Sequence, residues 1–148
     1  MVCFGNYASS PMAEAVFNDL AKKKGVDSEW RCRSAGLDLY VDETMSDQAI
    51  STLKEHGVDP GNHTGRRVTE NDLNDYDYVL AMDRENLRDL RGVALVGFTA
   101  KLELLPSYDP RGTKLIRHPG LWPPPNAYEE IYQIVNRSCD AFLDKHSL

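Results

Sequence analysis

The chain of 148 residues lacks the features that define several broad classes of protein. Its three cysteines, Cys3, Cys32 and Cys139, are odd in number and widely spaced, which argues against a disulfide framework and favours a reducing, cytoplasmic location. No apolar run approaches the roughly 18 residues of a transmembrane helix, and the first ten residues are too short and polar for a signal peptide. No Cys-x-x-Cys pair or Cys/His cluster has metal-ligand spacing, so we expect no metal and no cofactor.

An excess of cationic residues is also missing. The chain has 17 Lys and Arg residues against 23 Asp and Glu, a net charge of -6 and an isoelectric point of about 5.2. This balance argues against binding to nucleic acid or to an anionic membrane surface. Hydrophobic residues make up 41%, which is ordinary for a globular protein, and the length fits one domain over residues 1–148. The sequence leaves the oligomeric state open.

The order of predicted elements indicates an α/β fold. After a short apolar stub, Ser10 is predicted to cap a helix over 11–24, with Pro11 in its first turn. The remaining pattern predicts strands over 30–34, 76–82 and 101–105 and a long proline-rich loop over 109–126. It also predicts helices over 47–56, capped by Ser46, over 84–91, capped by Asp83, and over 127–145. Alternation of strands and helices is typical of a parallel sheet covered by helices on both faces.

The first eleven residues carry the main chemical signal. Cys3 follows the apolar stub, Gly5 lies in the loop after it, and Ser10-Pro11 opens a helix. In such a loop the backbone N–H groups and the helix N-terminus together form a cradle for an anion. A thiolate beneath a bound phosphate is a nucleophile for phosphoryl transfer, and Ser10 is placed to donate a hydrogen bond to that sulfur.

The motif Val2-Cys3-x-Gly5-Asn6-x-x-x-Ser10-Pro11-Met12-Ala13-Glu14 closely resembles the phosphate-binding loop of the low-molecular-weight protein tyrosine phosphatases. The resemblance covers essentially the whole chain at matching spacings, including Trp30-Arg31-x-x-Ser34-Ala35, His63-x-x-Arg66-x-Val68-Thr69 and Ser107-Tyr108-Asp109-Pro110. It implies a flavodoxin-like three-layer fold with a parallel four-stranded sheet. It also implies cytosolic hydrolysis of phosphotyrosine proteins or small aryl phosphates through a phosphocysteine at Cys3.

The same resemblance assigns roles to individual residues. Cys3 becomes the nucleophile, Ser10 the residue that stabilises the thiolate, and Asn6 the brace of the loop. Ser34 and His63 become supporting residues that hydrogen-bond to Asn6. The substrate-binding loop comprises Phe4, Gly5, Asn6, Tyr7, Ala8, Ser9 and Ser10.

Several positions depart from the family pattern. Ser9 stands where the family has an arginine that grips two phosphate oxygens, and Ala8 replaces a second loop cysteine, which removes the reversible loop disulfide. His118 replaces the general-acid aspartate, and Gly120-Leu121 replaces two aromatic residues, with Trp122 as a candidate substitute wall. Loss of one preorganised donor costs about 100- to 1,000-fold in rate. Only Met1 and Val2 precede Cys3, so we expect a largely truncated first strand.

Three functions therefore compete. The first is a phosphotyrosine phosphatase of reduced efficiency, with Cys3 as nucleophile and His118 as an altered acid. The second is a pseudophosphatase that binds a phosphorylated partner or an anion without turnover. The third, an arsenate reductase, needs relay cysteines in the middle of the chain, and none lies between Cys32 and Cys139.

Overall fold

The computed structural model describes residues 1–38, 44–94, 97–120 and 123–147. In chain order its elements are β1 (Val2–Cys3), α1 (Ser9–Lys23), β2 (Ala35–Gly36), α2 (Asp47–Glu55), α3 (Asp72–Asp75), β3 (Tyr78–Ala81), α4 (Arg84–Arg91), β4 (Lys101–Leu104), a 3-10 helix (Leu105–Tyr108) and α5 (Ala127–His146). Within these ranges no helix has the length and apolar character needed to cross a membrane.

The four strands form one parallel sheet in the order β2-β1-β3-β4. In its register, Val2 lies beside Ala35 on one side and beside Ala81 on the other. The first strand is therefore central although it has only two residues, and the parallel four-stranded sheet that was predicted is confirmed. Because β1 is central and parallel, its carboxyl end carries the following loop to the middle of one sheet edge.

Two apolar cores lie on opposite faces of the sheet. The larger core contains apolar side chains of α1, α2 and α5, such as Met12, Leu53 and Phe142. The smaller one contains Leu73 of α3 and Leu90 of α4. Neighbouring residues along each strand point to opposite faces, so the structure has the three-layer arrangement that the alternating pattern predicted.

The predicted strand over 30–34 is wrong, because the sheet begins only at Ala35 on this side. A strand needs a neighbouring backbone to hydrogen-bond with, and β1 reaches upstream only to Val2. Residues 30–34 have the alternating composition of a strand but lie beyond the end of their partner. Strand pairing, not local propensity, therefore sets this boundary.

The helix caps were predicted with mixed success. Ser46 and Asp83 cap α2 and α4 as expected, since their side chains accept hydrogen bonds from the amides of Ala49 and Asn86. The prediction that Ser10 caps α1 is wrong, because the helix begins at Ser9 and no side chain caps it. The Ser10 hydroxyl is engaged instead by Cys3 and Asn6.

Candidate active site

Cys3 lies at the carboxyl end of β1, directly beneath the loop that leads into α1. Its Sγ is 2.9 Å from Ser10 Oγ and accepts the backbone N–H of Asn6 at 3.3 Å. The Asn6 side-chain amide donates to Ser10 Oγ at 2.9 Å, so the hydroxyl proton of Ser10 is left to donate towards sulfur. Two donors therefore converge on Sγ, an arrangement that stabilises a thiolate.

Asn6 fixes the shape of the loop. It is 1% exposed and has φ of +56°, a left-handed conformation that asparagine tolerates better than most residues. Its Oδ1 accepts the Arg66 backbone N–H at 3.0 Å, and its backbone carbonyl accepts His63 Nε2 at 2.7 Å. The segment that carries His63 and Arg66 therefore holds the loop from outside.

Gly36 permits this close packing, a role that sequence reasoning missed. A Cβ placed on Gly36 would lie 3.0 Å from the Phe4 carbonyl oxygen and 3.0 Å from the Asn6 Cβ. The backbone of β2 therefore passes directly against the loop, where only glycine fits without displacement. A glycine at the end of a predicted strand was the available signal, because such a glycine often marks a close backbone approach.

Ser34 does not make the hydrogen bond to Asn6 that the family resemblance implied. It is 3% exposed, and its Oγ has no hydrogen-bond partner among the residues that the structure describes. The acceptor of Asn6 is used by Arg66 instead, a residue that sequence reasoning did not assign to the site. The Arg66 guanidinium donates to the two Asp72 carboxylate oxygens at 3.1 and 3.2 Å. Its charge is therefore used in an ion pair that supports the structure.

The remaining loop residues divide into buried and exposed positions. Ala8 and Ser9 are buried, and Ser9 is the first residue of α1. The Ser9 hydroxyl provides one neutral donor where an arginine would provide a forked cation. Phe4 is 47% exposed, which leaves an aromatic ring at the rim of the loop.

His118 reaches the site from the long loop and contacts Tyr7. Its Nε2 is 2.5 Å from Tyr7 Oη, and the two rings meet edge to face. Its Nδ1 accepts the Gly120 N–H at 3.0 Å, so in the neutral ring the proton is on Nε2 and is donated to Tyr7. Burial lowers the pKa of His118 below its usual 6.5. Leu121, which stands at one of the two positions where the family has aromatic residues, and Trp122, the candidate substitute wall, lie outside the described residues.

Comparisons with known proteins agree with this geometry. The sequence model of the low molecular weight phosphotyrosine protein phosphatases matches residues 1–148. The chain is 39% identical over 147 residues to the low molecular weight phosphotyrosine protein phosphatase of Sus scrofa, covering 97% of this chain and 92% of the relative. Two similar crystal structures are YfkJ from Bacillus subtilis (31% identity, TM-score 0.89, 99% and 94% covered) and DARP, a Drosophila arginine phosphatase (32%, 0.91, 99% and 96%). The chain therefore belongs to the low molecular weight phosphotyrosine protein phosphatase family.

Proposed function

We propose that the loop binds the phosphate of a phosphotyrosine protein or small aryl phosphate, and that Cys3 hydrolyses it slowly. One observation carries the proposal: Cys3 Sγ lies with two hydrogen-bond donors, from Ser10 and Asn6, at the base of an anion cradle. An inert cysteine would not need this arrangement, whose donors favour the charged form of sulfur. The family relationship supports phosphotyrosine as the substrate class.

The reaction proceeds in two displacements. The Cys3 thiolate attacks phosphorus, an S–P bond forms, and the P–O bond to the aryl group breaks with its electron pair on the leaving oxygen. A proton from solvent then neutralises the aryloxide. Water attacks the phosphorus of the phosphocysteine, a P–O bond forms as the S–P bond breaks with its electron pair on sulfur, and the proton lost by the water returns to solvent. Inorganic phosphate leaves with the thiolate restored. Ser10 and Asn6 stabilise the sulfur anion before the first step and after the second.

Two substitutions limit the rate. Ser9 offers one neutral hydrogen bond to charge that an arginine would hold with two charged ones, so transition-state stabilisation falls. His118 is also a poor proton donor, because its Nε2–H is directed to Tyr7 and its lowered pKa keeps the ring neutral near pH 7. An imidazolium would need a proton on Nδ1, where Gly120 already donates.

The second candidate function is binding of a phosphorylated partner or an anion without turnover. The observation that favours it is that the loop is intact while Ser9 and His118 stand where the family resemblance implies the phosphate-binding arginine and the general acid. Backbone amides at a helix N-terminus bind phosphate without help from a catalytic residue. On either reading we propose a single domain over 1–148, a cytoplasmic location, and no nucleic-acid or membrane partner, as the net charge of -6 and the unpaired cysteines support.

The two candidates are separated by turnover of an aryl phosphate from about pH 4.5 to 8, measured for the chain and for Cys3→Ser. Slow hydrolysis that disappears in Cys3→Ser would support the thiolate mechanism. Equal rates in both proteins would reject it. In the second case, thermal stabilisation by phosphate or by a phosphotyrosine peptide would support the binding function, and no stabilisation at high ligand concentration would reject that function too.

A further inference from the structure

The segment that carries His118 crosses the carboxyl edge of the sheet next to β1. Ile116 is buried, and its N–H donates to the Met82 carbonyl at 2.9 Å. The Met82 N–H donates in turn to the Val2 carbonyl at 3.3 Å, so Ile116 lies one strand away from the strand that ends in Cys3. His118 follows this buried anchor by two residues and is therefore held at the edge of the sheet where the cysteine loop begins.

Tyr7 is held at the same edge from the side of the cysteine loop. Its backbone carbonyl accepts the Ser46 N–H at 2.9 Å, which ties Tyr7 to the start of α2. A Cβ placed on Gly5 would lie 2.7 Å from Tyr7 Cε1 and 2.8 Å from Tyr7 Cδ1, so the half-buried phenol ring lies directly against the backbone of the loop. The absence of a side chain at Gly5 thus allows the phenol to lie beside the cradle for the phosphate.

The contact between Tyr7 and His118 does not consume the proton of the phenol. Gly120 donates to His118 Nδ1 at 3.0 Å, so the neutral imidazole carries its proton on Nε2 and donates it to Tyr7 Oη. A phenol that accepts this hydrogen bond keeps its own O–H as a donor. An N–H directed at the phenol oxygen also stabilises the phenolate that proton donation would leave behind. The geometry therefore prepares Tyr7 to give up a proton.

We propose that Tyr7 is the proton donor to the aryl leaving group, and that His118 is a positioning residue that acts through Tyr7. The inference rests on the function proposed for Cys3. The Tyr7 hydroxyl lies 2.5 Å from the imidazole that stands where the family resemblance implies the general acid. The hydroxyl of a tyrosine and that of the phenol released from phosphotyrosine have the same ordinary pKa, about 10, so a proton passes between them with little change in energy.

The same proton serves both displacements. In the first, the Cys3 thiolate forms the S–P bond, the P–O bond breaks with its electron pair on the aryl oxygen, and the Tyr7 O–H proton passes to that oxygen. The Nε2–H of His118 stabilises the resulting tyrosinate. In the second, the tyrosinate takes a proton from the water that attacks phosphorus, and the S–P bond breaks with its electron pair on sulfur. Tyr7 and the thiolate are restored, and Tyr7 takes the part that solvent otherwise plays.

Steady-state kcat/KM of Tyr7→Phe for two aryl phosphates tests the proposal. A 2,4-dinitrophenolate leaves without a proton, whereas an unsubstituted phenolate needs one. We therefore expect kcat/KM to fall about 100-fold for phenyl phosphate and to change by less than about threefold for 2,4-dinitrophenyl phosphate. Tyr7→Phe keeps the ring against Gly5, so the loop retains its shape. Tyr76→Phe is the matched control, because Tyr76 precedes β3 at the opposite edge of the sheet and should leave both rates unchanged.

Two variants of His118 test its positioning role. The amide of a glutamine at position 118 can still donate to the Tyr7 hydroxyl, whereas a leucine cannot. His118→Gln should therefore keep most of the activity on phenyl phosphate, and His118→Leu should lose about tenfold. Hydrolysis of 2,4-dinitrophenyl phosphate should be little changed in both. Equal losses on phenyl phosphate in the two variants would overturn the role assigned to His118.

Equal losses of Tyr7→Phe on both substrates, or no loss on phenyl phosphate, would overturn Tyr7 as the proton donor. Hydrolysis of 2,4-dinitrophenyl phosphate that is lost in Cys3→Ser would show in either case that the function proposed for Cys3 stands. Equal hydrolysis of this activated substrate by the chain and by Cys3→Ser would instead overturn that function, and the role of Tyr7 with it. The two failures are therefore distinguishable.

Discussion

Tyr7 Oη lies 2.5 Å from Nε2 of His118, a residue 111 positions later in the chain. This contact joins the loop above Cys3 to the long loop that follows the 3-10 helix. Because Gly120 donates to the other ring nitrogen, the imidazole is held at both nitrogens in one tautomer. His118 is therefore held as a positioned ring in this structure, and its titration is the first property to measure.

We expect His118 to titrate below pH 6.5, because burial disfavours its charged form. Between its folded-state pKa and 6.5 the unfolded chain binds more protons, so the stability that comes from this ring is lost as the pH falls through that window. Proton NMR of the ring measures the midpoint. Tyr7→Ala should expose the ring and raise its pKa towards 6.5, whereas Tyr7→Phe should change it little. A midpoint above 6.5 would contradict the assignment.

Ser9→Arg combined with His118→Asp should raise aryl phosphate turnover by about 100-fold or more, because it returns a forked cation and a carboxylic acid to the phosphate. Steady-state kcat/KM is the measurement. Ser9→Lys with His118→Asp is the matched control, since lysine restores charge without two parallel hydrogen bonds and should recover less. If the arginine variant folds, binds phosphate and gains no activity, these two positions are not the defect.

Asn6→Ala should destabilise the protein by about 2 kcal/mol or more. It removes the side-chain hydrogen bonds to Ser10 Oγ and to the Arg66 backbone N–H, and it places alanine at a φ of +56°. Asn6→Gly tolerates the backbone conformation and loses only the hydrogen bonds, so it should be destabilised less. Urea unfolding gives both free energies. Equal losses in the two variants would show that the left-handed conformation costs nothing here.

Asp109 is expected to contribute to stability in acid. Its side chain is fully buried, and hydrogen bonds from Arg137 at 2.8 and 2.9 Å lower its pKa from 3.8 to about 2. A depressed carboxyl pKa contributes stability that is complete above 3.8 and is lost as the pH falls through about 2, here about 2 kcal/mol. Urea midpoints of the chain and of Asp109→Asn between about pH 5 and 2 measure the difference.

Removing the other partner provides the control. Arg137→Met leaves a buried carboxylate unpaired and should cost about 3–5 kcal/mol near neutral pH, more than Asp109→Asn. The loss should diminish in acid as Asp109 becomes protonated. If both variants show the same pH dependence as the parent chain, Asp109 is not the group that couples this ion pair to acid stability.

Local sequence signals predicted those parts of the structure that depend on neighbouring residues. The Ser46 and Asp83 caps lie where the pattern placed them, because a cap is formed within three residues of its own helix. The capping prediction failed at Ser10, because its hydroxyl contacts Cys3 instead. The strand prediction failed over 30–34, because these residues have no neighbouring strand to pair with in the described part of the chain. At Ser10 a contact with another segment outweighed the local preference, and at 30–34 the absence of strand pairing did so.

The sequence alone determined the order of elements and the position of the cysteine loop. It did so because periodicity, caps and loop motifs are encoded over a few consecutive positions. The tertiary structure decided that Arg66 takes the acceptor of Asn6 and that Tyr7 contacts His118. These features depend on the register of the sheet and on pairs of residues far apart in sequence, which no local pattern specifies.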